Sequence, residues 1–242
     1  RISDGDLRTL HSITASTLRR GRRQFAPTSG RSRMVEALLQ SLFAEEPWVT
    51  TASLFETTDA RGEDRHQRFL RGRRCVATAL ERAGGPADAT IGVGASSEPI
   101  WPSGWVGSLS HAGALSIAAV APSSHARALG VDVEPNGDET TAFTRRVCSD
   151  AELAGIQRLG ARPEALARVV FSAKEAVYKA QFTESGETIG LHRVEILLEP
   201  TRFVARFREA VPGFAAGAEL LGRWMLDAAW IMTAVCLPQP AR

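Results

Sequence analysis

The sequence predicts an α+β fold, because helix patterns and strand patterns occupy separate stretches of the chain. An arginine-rich helix precedes a pair of apolar strands, and a second helix with an apolar stripe precedes a further group of strands. This order favours a two-layer arrangement of small, mainly antiparallel sheets packed with helices, and it hints at two similar halves. With 242 residues, the chain can bury a sizeable core as one large domain or two small ones.

The first predicted helix spans residues 65–83. Phe69, Val76 and Leu80 recur at helical spacing, and Gly84 with Gly85 provides a stop signal. Most other positions in this helix are polar, and many are arginine. We therefore expect an apolar side against a core and a cationic side.

A loop and two strands are predicted next. Proline, glycine and serine are frequent over residues 92–107, which is typical of a loop. The apolar run 115–121 and the run 129–134 flank a turn at 122–124, and both predict strands.

The second half begins with two helix signals. Residues 149–152 form a capping box, and Pro163 suits the first position of a helix that runs to about Phe182. One stripe of that helix is apolar and comprises Leu166, Val169, Val170, Ala173, Val177 and Ala180. Three later strands are predicted at 194–198, 203–207 and 229–236.

Charge and cysteine content limit the class of protein. The net charge is +2, but residues 1–33 carry eight arginines against two aspartates, so the remainder is mildly acidic. We expect residues 1–33 to be a flexible extension, a tag, or sequence upstream of a start at Met34. A nucleic-acid-binding arm is the alternative, although no aromatic residues are interleaved with the arginines, and we expect no nucleic-acid partner.

The three cysteines, Cys75, Cys148 and Cys236, have no paired spacing. A disulfide framework or zinc site is therefore not expected, and a cytoplasmic location fits best. No stretch reaches the ~18 to 20 continuous apolar residues of a membrane helix, so no membrane partner is expected.

Only two lysines occur in the chain, Lys174 and Lys179, and both lie within residues 171–180. Because the chain otherwise uses arginine, the two lysines indicate that a compact ammonium is needed in this segment. Such a point charge suits contact with a phosphate beside a metal ion. Glu175 lies one turn before Lys179, so the plainer interpretation is a surface ion pair.

Asp132 and Glu134 flank Val133 in an apolar strand, and alternation directs both carboxylates to one face. Paired hard oxygens suit magnesium, which completes its octahedron with water and substrate phosphate. The alternative is the polar face of a half-buried strand.

His111 follows Ser110 in a serine- and glycine-rich segment at the entrance to a strand, where it can donate to a phosphate oxygen. A purely structural histidine is the alternative. A serine protease pair is excluded, because adjacent residues do not present nucleophile and base to each other. Together with the carboxylates and Lys179, these residues predict a site for a polyphosphate substrate.

Four motifs in order resemble the Sfp-type 4'-phosphopantetheinyl transferases, in particular the enterobactin synthetase component D-like branch. The motifs cover roughly residues 34–238. They are Arg71-Gly72-Arg73-Arg74-Cys75 after Phe69; Trp101-Pro102 with Gly104 and Gly107-Ser108-Leu109-Ser110-His111; Gly130-Val131-Asp132-Val133-Glu134; and Phe171-Ser172-Ala173-Lys174-Glu175-Ala176 with Tyr178-Lys179-Ala180.

The resemblance implies a role for each matching residue. It implies Asp132, Glu134 and Glu175 as ligands of Mg²⁺, and Lys179, His111 and Ser110 around the phosphates of coenzyme A. By the same resemblance, Arg65 and Arg73 hold the 3'-phosphoadenosine end. Glu175, Lys179 and His111 are the implied catalytic residues, with Glu175 or a metal-held water as the candidate proton acceptor, and Lys174 as a supporting cation or a carrier contact.

The implied reaction moves 4'-phosphopantetheine from coenzyme A to a serine of an acyl or peptidyl carrier protein of a polyketide, nonribosomal peptide or fatty acid pathway. The implied fold is a monomer with an N-terminal half at 34–125, a C-terminal half at 126–242 and the site between them. Ser96 and Gln181 depart from the family pattern, so a non-catalytic relative that binds coenzyme A or a carrier is the alternative.

Overall fold

The computed structural model describes residues 28–56, 65–86, 89 and 91–240. The α-helices in these ranges are α1 (Thr28–Ser41), α2 (Arg65–Arg82), α3 (Thr141–Val147), α4 (Asp150–Arg158) and α5 (Pro163–Ser185). The strands are β1 (Thr50–Phe55), β2 (Gly92–Val93), β3 (Pro99–Ile100), β4 (Trp105–Ala112), β5 (Leu115–Pro122), β6 (Ala126–Pro135), β7 (Val194–Leu198), β8 (Arg202–Phe207), β9 (Glu219–Leu226) and β10 (Trp230–Pro238).

The strands form two main antiparallel sheets. One has three strands in the order β1-β5-β4, and the other has five in the order β6-β10-β9-β8-β7, while β2 and β3 make a short separate hairpin. Helix α2 packs on the three-stranded sheet, and α5 packs on the five-stranded sheet. Segregated helices and antiparallel sheets confirm the predicted α+β class.

Helix α5 is the central element of the larger layer. Its predicted apolar stripe is buried against the five-stranded sheet, and Gly186 ends the helix in the left-handed conformation at φ 67°. A Cβ atom at Gly130 of β6 would lie 1.9 Å from the carbonyl oxygen of Ala176. Glycine at this position therefore lets α5 rest directly on β6, the strand that carries Asp132 and Glu134.

The two sheets meet where β4 runs beside β6. The backbone N–H of Val131 donates to Ser108 Oγ at 2.9 Å, and Ser110 Oγ donates to Asp132 Oδ1 at 2.7 Å. Since no ladder joins β4 to β6, Ser108 satisfies a backbone N–H that an exposed sheet edge would leave to water, and Ser110 adds a bond between side chains.

Some boundaries differ from the sequence expectation. Helix α1 begins at Thr28, inside the segment assigned to a flexible extension, because the apolar side chains of Val35 and Leu39 bury this helix in the core. Residues 1–27 lie outside the described ranges. Strand β4 begins at Trp105, so His111 lies within a strand rather than at the entrance to one. No described helix is long and apolar enough to cross a membrane.

Candidate active site

A cavity of about 770 Å³ opens between α2, β4 and the C-terminal part of α5. This volume is typical of a small-molecule or cofactor site. Its wall includes the basic side chains of Arg68, Arg73, His111 and Lys179, together with Ser96, Ser108, Trp101, Tyr178 and Phe182. A cationic wall interrupted by aromatic rings suits a ligand with phosphates and apolar parts.

Lys179 links the cavity to the carboxylates of β6. Its side chain lines the cavity, while its Nζ donates to Asp132 Oδ1 at 2.7 Å and to the carbonyl oxygen of Val131 at 3.0 Å. The interpretation of Lys179 and Glu175 as a simple surface ion pair is therefore wrong. The close approach of α5 to β6 offers Lys179 a buried carboxylate, which attracts a cation more strongly than an exposed one does.

One carboxylate oxygen of Asp132 accepts hydrogen bonds, and the other has no hydrogen-bond partner. The residue is 4% exposed, and its Oδ1 accepts hydrogen bonds from both Ser110 and Lys179. Its Oδ2 is buried with no hydrogen-bond partner. A buried carboxylate oxygen without a donor is costly, so a cation at this oxygen would relieve the cost.

Glu134 lies on the same face of β6 and is held from α5. Arg168 Nη1 donates to Glu134 Oε2 at 2.7 Å. Burial and the neighbouring charge of Asp132 raise the pKa of Glu134, while Arg168 and Lys179 oppose that rise. The carboxyl is thus destabilised as an anion unless positive charge stays near it.

Glu175 is half-buried on α5. Burial raises the pKa of its carboxyl, as does Asp132, while Lys179 lowers it. Within the described ranges no hydrogen-bond donor reaches this carboxylate. Glu175 therefore remains available to a cation or to a proton.

The residues fit a divalent cation without forming a complete cage. In the ranges that the structure describes, no three Asp, Glu, His or Cys side chains form a group that could already hold a metal ion. Magnesium commonly takes only one or two carboxylates and completes its shell with water and substrate phosphate. The partnerless Oδ2 of Asp132 and the unbonded Glu175 provide hard oxygen donors of this kind.

His111 belongs to β4 and lines the cavity. Burial lowers its pKa, and the positive charges of Arg68, Lys179 and Arg71 lower it further. A neutral imidazole has one N–H, which can be donated to a phosphate oxygen.

The arginines of α2 form another part of the cavity wall. The guanidinium of Arg73 lies 4.7 Å from the ring centre of Phe69, and its Nη2 donates to the Gly92 carbonyl oxygen at 3.1 Å. Its Nε and Nη1 are buried without partners, as is Arg68 Nε, and burial lowers the pKa of Arg73. These unused donors favour an anionic ligand.

One expectation for α2 is wrong, and another is not tested by the described side chains. Phe69, an apolar position expected against the core, is 43% exposed, and its ring contacts the guanidinium of Arg73. Arg65 begins α2, but its side chain lies outside the described part of the structure, so its role stays a prediction. Arg68 was missed, since nothing in an arginine-rich helix distinguishes it until its neighbours are known.

Lys174 does not belong to the site. It is 2% exposed, and its Nζ donates to Glu152 Oε2 and to the Val147 carbonyl oxygen, each at 2.9 Å. The other oxygen of Glu152 accepts from the Ile196 backbone N–H at 2.7 Å. Lys174 is therefore a buried structural cation between α4, α5 and β7, and the expectation of a supporting cation or a carrier contact is wrong.

Comparison with known proteins assigns the family. Residues 57–121 match the model of the 4'-phosphopantetheinyl transferase N-terminal domain, and residues 128–221 match that of the 4'-phosphopantetheinyl transferase superfamily. The chain belongs to the 4'-phosphopantetheinyl transferases, a class of transferase enzymes.

Individual relatives agree with this assignment. The chain is 33% identical to 4'-phosphopantetheinyl transferase PptT of Mycobacterium tuberculosis over 207 residues, which cover 81% of this chain and 90% of the relative. It is 33% identical to 4'-phosphopantetheinyl transferase Svp of Streptomyces mobaraensis over 179 residues, 72% of each chain. Enterobactin synthase component D of Salmonella austin is 33% identical over 49% of each chain. The resemblance predicted from the motifs, including its branch, is confirmed.

Proposed function

We propose that this protein transfers 4'-phosphopantetheine from coenzyme A to a serine hydroxyl of an acyl or peptidyl carrier protein. The serine oxygen forms a bond to the phosphorus next to pantetheine, the pyrophosphate P–O bond breaks, and adenosine 3',5'-bisphosphate leaves. The observation that carries the proposal is Lys179, whose side chain lines the cavity while its ammonium contacts Asp132 beside a partnerless carboxylate oxygen.

Coenzyme A would lie in the cavity between the two halves of the molecule. Arg73 and Arg65 of α2 would hold the 3'-phosphoadenosine end, a role that the unused donors of Arg73 support. His111 and Lys179, with Ser110 behind them, would hold the pyrophosphate. Fixing both ends of the donor converts binding energy into alignment of the reacting phosphorus.

Asp132, Glu134 and Glu175 would hold Mg²⁺. When bound, the cation would stabilise the negative charge that develops on the pyrophosphate oxygens. The chain's own contribution would be to offer carboxylates from β6 and α5, with Lys179 in contact with Asp132 and Arg168 in contact with Glu134.

Glu175 would take the proton of the attacking serine. Its carboxylate has no hydrogen-bond donor within the described ranges, and burial raises its pKa. Both features favour proton uptake by Glu175 while no cation binds it, since a general base works best with a pKa nearer the operating pH. A bound cation lowers the pKa of the carboxyl, and a water held at the metal site would then be the proton acceptor.

The test is mass spectrometry of a carrier protein. Incubating the chain with coenzyme A, magnesium and an apo carrier should add one phosphopantetheinyl group per carrier, and omission of magnesium should abolish the addition. A panel of acyl and peptidyl carriers without any addition would exclude the transfer proposal. Binding of coenzyme A without transfer, unaffected by Glu175→Gln, would instead favour a non-catalytic relative.

A further inference from the structure

We infer that Arg168 is a positioning residue for Glu134, holding one carboxylate oxygen so that the other stays available to the metal. This inference rests on the proposed function, because it gives Arg168 a role only if Glu134 serves a divalent cation. Arg168 was not among the residues that the motifs pointed to.

Three charged side chains lie along one side of α5. Arg168 lies two helical turns before Glu175, and Lys179 lies about one turn after it, so all three share one side of the helix. Arg168 contacts Glu134 at 2.7 Å, and Lys179 contacts Asp132 at 2.7 Å. Each strand carboxylate of β6 therefore receives its own cation from the helix, with Glu175 between the two.

The two strand carboxylates are held in the same way. Ser110 and Lys179 both bond to Oδ1 of Asp132, and Oδ2 has no partner. Arg168 bonds to Oε2 of Glu134, and no described residue bonds to Oε1. In each case the protein uses one oxygen and leaves one, as in sites where supporting contacts orient the ligands of a metal.

Arg168 is fixed independently of Glu134. Its Nε and Nη2 also bond to Glu139, and its guanidinium lies 5.1 Å from the ring centre of Phe143 on α3. A planar group held by a second carboxylate and an aromatic ring has little freedom left. Its remaining N–H groups therefore impose a position on Glu134 rather than follow it.

Loss of Arg168 should leave Glu134 exposed to repulsion from Asp132 on the same strand face. The carboxylate would then turn away, and the metal would lose a prearranged ligand. Removing such a supporting contact typically costs 10–100-fold in metal affinity.

The experiment measures Mn²⁺ binding to the purified full chain without coenzyme A, by electron paramagnetic resonance of the free ion. Arg168→Gln should weaken binding by about 10–100-fold, and Arg168→Lys should not restore it, because an ammonium cannot bridge Glu134 and Glu139 in the same plane. Arg162→Gln is the matched control, since Arg162 immediately precedes α5 and pairs with Asp138 at the surface. It should bind Mn²⁺ normally.

Glu134→Gln and the double variant separate positioning from general damage to the fold. If Arg168 acts through Glu134, Arg168→Gln added to Glu134→Gln should weaken Mn²⁺ binding no further; an additional loss in the double variant would overturn the inference. Unchanged or tighter binding by Arg168→Gln would also overturn it. Should Arg168→Gln not fold, Glu139→Gln removes the second anchor and should weaken Mn²⁺ binding to a smaller extent; unchanged binding by that variant would count against the inference.

The outcome for the proposed function is distinct. If Asp132→Asn and Glu134→Gln both bind Mn²⁺ as the parent does, the metal site itself fails, whatever Arg168 does. If those two variants lose binding and Arg168→Gln keeps it, only the role of Arg168 fails.

Discussion

At the residue scale, the two lysines have different structural roles, although they lie within six positions of each other. Lys179 joins the cavity to Asp132, while Lys174 is buried against Glu152. Each ammonium bonds to one carboxylate and one backbone carbonyl oxygen. That geometry suits a compact cation with several donors on a flexible stem. The two lysines of the chain therefore belong to two separate confined sites rather than to one.

Lys179→Arg should lower the rate of phosphopantetheine transfer by at least about tenfold, because a planar guanidinium cannot reproduce the two bonds of Nζ at the same depth. The measurement is kcat/KM with coenzyme A and an apo carrier protein. Arg206→Lys, in an exposed ion pair with Glu219 on the sheet surface, is the control. Near-normal turnover of Lys179→Arg would contradict the need for an ammonium.

Lys174→Met should lower the free energy of unfolding by about 3–5 kcal/mol, because it leaves the buried charge of Glu152 without its cation. Urea denaturation followed by circular dichroism measures the loss. Adding Glu152→Gln to this variant should recover part of the stability, since the uncompensated charge is then gone. A single variant as stable as the parent would show that the pair contributes nothing.

At the element scale, the position of α5 on β6 decides the geometry of the site. Glu175, Lys179 and Arg168 all come from this helix, and the carboxylates that the two cations contact come from the strand beneath it. Gly130 sets the distance between the two elements, since no side chain fits there. Stability and activity are therefore linked through one glycine.

Gly130→Ala should displace α5 and lower both stability and transfer, because the added methyl group would overlap the Ala176 carbonyl. Forced overpacking of this kind costs about 1–3 kcal/mol, and occasionally more. Thermal unfolding checks the first effect, and kcat/KM of transfer to an apo carrier protein checks the second. Gly137→Ala is the matched control, because no atom lies within 4 Å of a Cβ there; equal effects of the two substitutions would refute the close-approach argument.

At the scale of the whole molecule, the two sheets are joined through serines rather than by a continuous ladder. Ser108 accepts from the Val131 backbone and also lines the cavity, and Ser110 reaches Asp132. The site therefore depends on the contact between β4 and β6. The predicted division at residues 125 and 126 and the monomeric state stay predictions.

Ser108→Ala should destabilise the chain by about 1–3 kcal/mol, because the buried N–H of Val131 would lose its acceptor. Urea unfolding gives the free energy. Ser41→Ala, which removes an exposed hydroxyl bonded to its own helix, is the control. If Ser108→Ala unfolds as the parent does, the contact between β4 and β6 does not depend on the hydrogen bond from Val131 to Ser108.

The local features of the chain were predictable because they depend on near neighbours. Pro163, the capping box at residues 149–152 and the apolar stripe of α5 carry their helix signals within a few residues. Strand β7 likewise has the expected bounds. By contrast, α1, β1, α3 and β9 were not predicted, since these segments carry little periodic signal and are stabilised by what they pack against.

The sequence by itself determined the α+β class, helices α2, α4 and α5, the pair Asp132 and Glu134 on one strand, and the family to which the motifs belong. Only the tertiary structure decided which charged residues form ion pairs. These pairs are Lys179 with Asp132, Lys174 with Glu152, and Arg168 with Glu134. The reason is physical. Periodicity and caps act over a few residues, whereas each of these pairs joins distant segments whose spacing is set by helix packing on the sheet, here by the missing side chain of Gly130.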